Sequence, residues 1–164
     1  HGALGLEPWA TTRLEAAGLP AIEVTATPCR HGPPASTPIV GQVVGFALRW
    51  EGQEHGELWI SGDTVLYPGV RQVADRLDIG TALLHLGGVR FPVTGPIRYT
   101  MTAEDGVELC ELLRPQTAIP VHYEGWSHFQ QDRTAMDAVF AAAPPEVRTA
   151  LRWLPIGEAT DVEV

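Results

Sequence analysis

The sequence predicts a layered α/β domain. Short runs rich in β-branched and apolar residues alternate with segments whose apolar residues recur at helical spacing, and no internal repeat interrupts them. At 164 residues, with 45% hydrophobic and 19% charged residues, the chain has an ordinary globular composition and enough length for one buried core. We therefore expect one folded unit whose helices cover at least one face of a sheet.

The first elements are predicted to be strands. Residues 21–26 are rich in β-branched side chains and precede a proline, and residues 43–50 alternate between apolar and small or polar side chains. A polar turn over residues 51–56 then leads into an apolar run over residues 57–60, which predicts a hairpin. One side of the first hairpin strand carries Val44, Phe46, Leu48 and Trp50.

A helix is predicted from about Pro68, because one stripe of it is apolar. That stripe consists of Val70, Val73, Ala74 and Leu77. The nearly continuous apolar run over residues 82–86 is typical of a strand that is covered on both faces.

The last third of the chain repeats this alternation. Thr102 is placed to cap a helix with Asp105 three residues later, and Pro115 ends that helix. Residues 117–122 are predicted to form a strand, residues 129–143 a helix and residues 151–154 a final strand. The inward stripes are predicted to carry Leu109, Leu112 and Leu113 in the first helix, and Met136, Val139, Phe140 and Ala143 in the second.

Charge and composition exclude several classes of protein. The net charge is −9, all 11 basic residues are arginines and they form no cluster, so a nucleic-acid substrate is disfavoured. No apolar run approaches the roughly 20 residues of a membrane helix, and the first residues lack the features of a signal peptide, so we expect a cytoplasmic chain. Cys29 and Cys110 match no zinc-ligand spacing and are expected to be buried thiols.

Three metal-capable side chains follow predicted strands. His31 lies in Cys-Arg-His-Gly-Pro, Asp63 in Ser-Gly-Asp-Thr and His122 in Ile-Pro-Val-His-Tyr. Open α/β sheets bind ligands at the carboxyl ends of their strands, and imidazole and carboxylate groups suit zinc and similar ions. Each signal alone also fits a structural histidine or an Asx turn.

The ordered set of motifs is more specific. Thr-Ala-Thr-Pro-Cys-Arg-His-Gly-Pro, Ser-Gly-Asp-Thr, Ala-Leu-Leu-His-Leu-Gly-Gly, Tyr-Thr-Met-Thr-Ala-Glu-Asp and Ile-Pro-Val-His-Tyr together resemble the C-terminal half of the metallo-β-lactamase superfamily. The resemblance is to the branch that holds ascorbate-6-phosphate lactonase and many bacterial metal-dependent hydrolases. It implies that residues 1–164 form half of a four-layer αβ/βα sandwich.

The resemblance also implies a metal site. His31 corresponds to the family's later histidine on the first metal, Asp63 to the carboxylate that bridges two divalent ions and His122 to the final histidine on the second. The ions would be zinc, with manganese or iron as alternatives. The implied activity is hydrolysis of a small-molecule ester, lactone or phosphodiester by metal-activated water, with Asp63 as the catalytic carboxylate.

The chain departs from the family in lacking a His-x-His-x-Asp-His motif. A catalytic zinc normally has three protein ligands, so we expect this chain alone to bind metal poorly and to be inactive. The missing half is either part of a longer protein from which this fragment derives, or naturally absent. In the second case the chain would be a non-catalytic binding or assembly module that keeps the fold without the metals.

Other residues are candidates for a substrate pocket. Glu124, Trp126 and His128 follow His122 closely, although an ordinary surface loop would look the same. His85 interrupts an apolar strand before Gly87 and either faces the site or is a hydrogen-bonded core histidine.

The predicted half-sandwich would leave one sheet face uncovered. The face with Val44, Phe46 and Leu48 would form an apolar patch, and such patches drive association. We therefore expect the chain to pair through this face, either with its missing N-terminal half or with a second copy of itself.

Overall fold

The computed structural model of the protein describes residues 3–164; His1 and Gly2, the start of the predicted 1–164 unit, lie outside the described residues. The strands are β1 (Thr11–Leu14), β2 (Ile22–Pro28), β3 (Val44–Trp50), β4 (Glu57–Ile60), β5 (Ile79–His85) and β6 (Thr117–Val121). The helices are α1 (Thr37–Val40), α2 (Pro68–Arg76), α3 (Ala103–Leu113), α4 (Arg133–Ala141) and α5 (Pro145–Ala150), with a 3₁₀ turn at Pro92–Thr94. Within residues 3–164, no helix combines the length and apolar character that crossing a membrane requires.

The strands form one six-stranded sheet in the order β1-β2-β3-β4-β5-β6. The pairs from β1 to β4 are antiparallel, which includes the predicted hairpin, whereas β4, β5 and β6 are parallel. The parallel strands are joined through α2 and α3, because parallel neighbours require a crossover connection. Consequently β2, β4, β5 and β6 run in one direction, and their carboxyl ends lie at the same edge of the sheet.

Trp59 on β4 is the largest fully buried side chain of the helix-covered core. Its indole Nε1 donates a hydrogen bond to Thr27 Oγ1 on β2 at 3.0 Å, so its one polar group is satisfied. Gly45 on β3 permits this approach, since a Cβ there would lie 2.6 Å from Thr27 Oγ1 and 2.7 Å from the Ile60 carbonyl oxygen. The core around the indole includes Ala47, Val70, Val73, Ala82, Leu84, Leu109, Met136 and Phe140.

The opposite side of the sheet carries a second apolar surface, the open face, which consists of Val44, Phe46, Leu48, Trp50, Leu58 and Ile60. Side chains alternate along a strand, so these residues point away from the core that holds Ala47 and Trp59. Phe46 keeps 36% of its surface exposed, and the other five are half-buried. The predicted patch is therefore present.

Local signals account for the helices that were predicted. In α3, Thr102 Oγ1 accepts from the Asp105 amide at 3.2 Å, and Asp105 Oδ2 accepts from the Thr102 amide at 3.0 Å, which completes a capping box. Val70 and Val73 of α2 are buried as predicted. The prediction that Leu112 faces inward is wrong: it is 44% exposed, because it lies outside the stripe that buries Ala103, Gly106, Leu109 and Cys110.

The helix predicted over residues 129–143 begins later, at Arg133. Asp132 caps it by accepting from the Ala135 amide at 2.8 Å. The Gln130 and Gln131 amides instead donate to the Gly87 carbonyl oxygen at 2.9 and 3.2 Å, so these residues belong to a loop contact.

The predicted strand over residues 151–154 is wrong. Leu151 forms an isolated bridge to Ala118, and the Arg152 amide donates to the Ala118 carbonyl oxygen at 2.8 Å. Trp153 then packs edge-on against Tyr123 and Phe140, and Pro155 has no amide to continue a ladder. Three short elements were not predicted: β1, α1 and α5.

The capping box of α3 is expected to contribute measurably to stability. Thr102→Ala removes the acceptor for the Asp105 amide and is expected to lower the free energy of unfolding by about 1 kcal/mol. Thr149→Ala is a matched control, because the exposed Thr149 hydroxyl donates only to the Pro145 carbonyl of its own helix. Urea denaturation of both variants measures the difference, and equal stability of the two would contradict the assignment.

Cys110 provides a chemical report on unfolding. Burial, and to a lesser degree the charge of Glu111, raises the pKa of its thiol from 9.0 to about 12. In a Cys29→Ser variant, we expect iodoacetamide to label the native protein at pH 8 about 100-fold more slowly than the urea-unfolded chain. Comparable labelling of native and unfolded protein would show that Cys110 is accessible.

The same pKa shift affects stability. Since the Cys110 thiol ionises at a lower pH in the unfolded chain than in the folded protein, the folded state should lose stability as the pH rises from about 9 towards 12.

Candidate metal centre

The topology gathers the candidate ligands at one edge of the sheet. His31 follows β2, Asp63 follows β4, His85 ends β5 and His122 follows β6, and these strands all run in the same direction. Loops that leave the carboxyl ends of parallel strands diverge and form a crevice for ligands. The four side chains therefore share an edge although they are far apart in sequence.

Asp63 and His122 are brought close together. The His122 Nε2 lies 3.5 Å from Asp63 Oδ2, and both side chains remain about one-third exposed, at 30% and 37%. The other ring nitrogen of His122, Nδ1, is buried and has no hydrogen-bond partner in the described part of the chain. The pair thus presents an imidazole and a carboxylate towards a shared, solvent-accessible point.

His122 owes its position to an unusual backbone conformation. Its φ is +58°, in the left-handed region that non-glycine residues rarely adopt, so the chain turns sharply as it leaves β6. Gly87 makes room for this turn, since a Cβ there would lie 2.8 Å from the His122 carbonyl oxygen. Backbone strain of this kind concentrates at functional sites.

His85 lies beside His122, with a separation of 5.7 Å between ring centroids. Its amide donates to Ser61 Oγ at 2.9 Å, and its Nδ1 lies 3.3 Å from the same oxygen. Burial lowers the pKa of His85; the Asp63 carboxylate opposes this shift and His122 adds to it. The residue therefore lies next to the Asp63–His122 pair and is bonded to Ser61, which directly follows β4.

His31 is held by a different partner. Its Nδ1 lies 2.9 Å from the Tyr99 carbonyl oxygen, which can only accept, so Nδ1 carries the proton. In the neutral ring, Nε2 then keeps its lone pair, as a metal-binding imidazole requires.

The His31 and Asp63 loops are tied to each other. The Arg30 amide donates to Thr64 Oγ1 at 3.0 Å, and the Val65 amide donates to the Arg30 carbonyl oxygen at 2.9 Å. Cys29 Sγ donates to the Asp63 carbonyl oxygen at 3.4 Å, and burial raises the pKa of this thiol to about 11. Cys29 is thus a packed thiol that supports the Asp63 loop.

The remaining pocket candidates lie on the loop after β6. Trp126 is 70% exposed and stacks on His128, with ring centroids 5.7 Å apart and an interplanar angle of 23°. His128 also contacts Phe91 and Phe129. Glu124 is exposed on the same loop.

Several residues of the site were not singled out from the sequence. Ser61 and Thr64 flank Asp63 and are fully buried, while the Tyr99 carbonyl orients His31 from a distant loop. Ser61 and Thr64 belong to the quoted Ser-Gly-Asp-Thr motif, so their proximity to Asp63 was a usable signal. Tyr99 begins the quoted Tyr-Thr-Met-Thr-Ala-Glu-Asp motif, but its contact with His31 joins positions 68 residues apart and could not be predicted from either segment.

The donor chemistry of these residues fits a divalent ion. The close Asp63–His122 approach, the unpartnered Nδ1 of His122 and the tautomer of His31 are all compatible with metal binding. In residues 3–164, however, no three His, Cys, Asp or Glu side chains cluster closely enough to hold an ion by themselves.

Comparisons of the sequence with known proteins agree on one family. The sequence profile described as "Beta-lactamase superfamily domain" matches residues 3–123. A UPF0173 metal-dependent hydrolase from Opitutus terrae is 32% identical over 149 residues, which cover 88% of this chain and 58% of that protein. A second, from Pelotomaculum thermopropionicum, is 29% identical over 133 residues, or 77% of this chain and 53% of the relative. The chain thus spans about half the length of the curated relatives it matches.

Solved structures show the same fold at lower identity. An isothiocyanate hydrolase from Delia radicum gut bacteria superposes with a TM-score of 0.74 at 17% identity, over 87% of this chain and 54% of that one. A metallo hydrolase from the archaeon Ignicoccus hospitalis gives a TM-score of 0.66 at 22% identity, over 94% and 58%. The predicted metallo-β-lactamase-like α/β fold is confirmed, and the chain belongs to the β-lactamase superfamily domain family.

Proposed function

We propose that this chain supplies one half of the active site of a metal-dependent hydrolase. The observation that carries the proposal is the 3.5 Å approach of Asp63 Oδ2 and His122 Nε2 at the edge of the sheet where His31 also lies. The naming of its relatives as metal-dependent hydrolases supports the same reaction class.

Each candidate ligand would have its own role in binding the metal ions. Asp63 would hold two divalent ions together, His31 would bind the first through Nε2 and His122 would bind the second. Such ions would be zinc, with manganese or iron as alternatives. They would lower the pKa of water so that hydroxide is available as the nucleophile near neutral pH, and they would polarise the electrophile. The Tyr99 carbonyl would fix the His31 ring by accepting its Nδ1 proton.

The substrate would be a small molecule with an ester, lactone or phosphodiester bond. The chain's net charge of −9 and the lack of any cluster among its 11 arginines disfavour a nucleic acid. His85, Glu124, Trp126 and His128 are proposed to line its binding site, because they surround or follow His122 at the same sheet edge.

The site also requires a partner. Asp63 and His122 make two neighbouring ligands, whereas a catalytic zinc has three protein ligands. We propose that the N-terminal half of the sandwich covers the open face and provides the remaining ligands; a second copy of this chain is the alternative. The chain's coverage of about half of its relatives supports the first arrangement.

A second candidate function is a non-catalytic binding or assembly module. It is favoured by the lack of a three-ligand cluster in the part of the chain that the structure describes. Metal content separates the two candidates. Here the full-length protein means this chain together with the proposed N-terminal half. Metal in the full-length protein supports the hydrolase, whereas a full-length protein without metal supports the module.

Loss of the Asp63 carboxylate is expected to abolish tight metal binding. Asp63→Asn keeps the shape but removes the charge, so the affinity of the full-length protein for zinc should fall by about 100-fold or more. The measurement is zinc per mole after dialysis against a graded series of chelator concentrations.

Asp75→Asn is the matched control for this variant. Asp75 is exposed on α2, so its substitution removes the same charge away from the site and should leave zinc binding unchanged. Asp63→Asn protein that retains its zinc, with unaltered circular dichroism, would contradict the assigned role.

The open face is expected to drive association of the 164-residue chain when it is produced alone. Phe46→Asp places a charge at the most exposed residue of this face and should weaken the association by about tenfold or more. Leu112→Asp is the control, since Leu112 is similarly exposed, at 44%, but lies in the helix layer. Sedimentation velocity gives the result, and a wild-type chain that remains monomeric at all concentrations would refute the prediction.

A further inference from the structure

Aromatic rings connect the two candidate histidine ligands. We define the aromatic arc as His31, Tyr99, Phe91, His128, Phe129 and His122. Successive ring centroids lie 5.5, 5.2, 5.2, 5.0 and 4.9 Å apart, so each ring contacts the next. These are the separations at which aromatic pairs attract. The rings come from three loops that are separate in sequence.

Backbone hydrogen bonds hold these loops in register. The Arg90 amide donates to the His128 carbonyl oxygen at 3.2 Å, and the Tyr99 amide donates to the Val89 carbonyl oxygen at 2.9 Å. The Val89 amide in turn donates to the buried Thr100 hydroxyl at 2.9 Å. The loop after β5 is therefore attached both to itself and to the loop after β6. The aromatic arc is therefore organised before any ligand binds.

Trp126 extends the arc towards solvent. It stacks on His128 and is 70% exposed. The loop that carries Phe91 also exposes Val93 at 93% and Ile97 at 37%. The Trp126 indole therefore gives the arc an exposed aromatic surface.

We propose that Trp126, with His128 and Phe91 behind it, is a specificity-determining surface that binds a planar apolar group of the substrate. This inference rests on the proposed hydrolase function, because the arc ends on the two histidines that would bind metal. A flat surface of stacked rings favours an aryl group, which stacks, over a saturated ring of similar size. The substrate class is then an aryl ester, aryl lactone or aryl phosphodiester.

The test uses two neutral probes that are not substrates, 1-naphthamide and cyclohexanecarboxamide. Their affinities for the metal-free full-length protein are measured by titration calorimetry in the presence of a chelator. We expect 1-naphthamide to bind about tenfold more tightly, and Trp126→Ala to remove most of that preference. Trp126→Phe, which retains a ring, should restore part of it. A loss through misfolding would not be rescued in this way.

Leu19→Ala serves as the control. Leu19 is 70% exposed, as Trp126 is, but it lies just before β2 at the opposite edge of the sheet, so its loss should leave the preference for the naphthyl probe unchanged. Equal affinities for the two probes, or a preference that survives Trp126→Ala, would overturn the proposal.

Hydrolysis provides an independent readout. The ratio of kcat/KM for 1-naphthyl acetate to that for cyclohexyl acetate is measured with zinc-loaded full-length protein and its Trp126→Ala variant, and we expect it to fall about tenfold in the variant. Naphthyl binding that depends on Trp126 without hydrolysis of either ester would uphold the arc and refute the assignment as an ester hydrolase. Because naphtholate is in any case the better leaving group, the arc is tested by the change in the ratio: hydrolysis with a ratio that Trp126→Ala leaves unchanged would uphold the hydrolase and refute the arc.

Discussion

The direction of the strands is the constraint on which the candidate site depends. Because β2, β4, β5 and β6 run the same way, the residues that leave them arrive at one edge of the sheet, across about ninety positions of sequence. The antiparallel β3 achieves this for β2 and β4 by returning the chain between them. Without that return, His31 and Asp63 would lie at opposite ends of the domain.

Packing within the sheet and its loops fixes the positions of individual side chains in this arrangement. The hydrogen bond from Trp59 to Thr27 spans β3, and only glycine at position 45 allows the strands to approach closely enough for it. Beyond the strand ends, Thr64 and Cys29 join the loops of β2 and β4. Gly87 makes room for the left-handed turn at His122. The site is thus positioned by buried contacts that take no part in chemistry.

The proposed N-terminal half bears on both the open face and the candidate ligands. A sheet with helices on one side leaves its other apolar face exposed to solvent, and one carboxylate with one adjacent imidazole supplies fewer ligands than a catalytic zinc normally has. In the proposal, a second layer placed against Phe46 would cover this face and bring further ligands. The aromatic arc, in contrast, is complete within this chain, since all its rings and the hydrogen bonds that hold them belong to the described loops.

By itself, the sequence determined the features that depend on neighbours in the chain. The capping box of Thr102 and Asp105, the stripe of α2 and the hairpin over residues 43–60 are local patterns, and the ordered motifs around His31, Asp63 and His122 identified the family. Only the tertiary structure decided which side chains meet. The pairing of Asp63 with His122, the hold of Tyr99 on His31 and the contacts of Phe91 with His128 join distant loops. The late start of α4 and the single bridge at Leu151 were decided in the same way, because competing long-range hydrogen bonds to Gly87 and Ala118 outweighed local propensity.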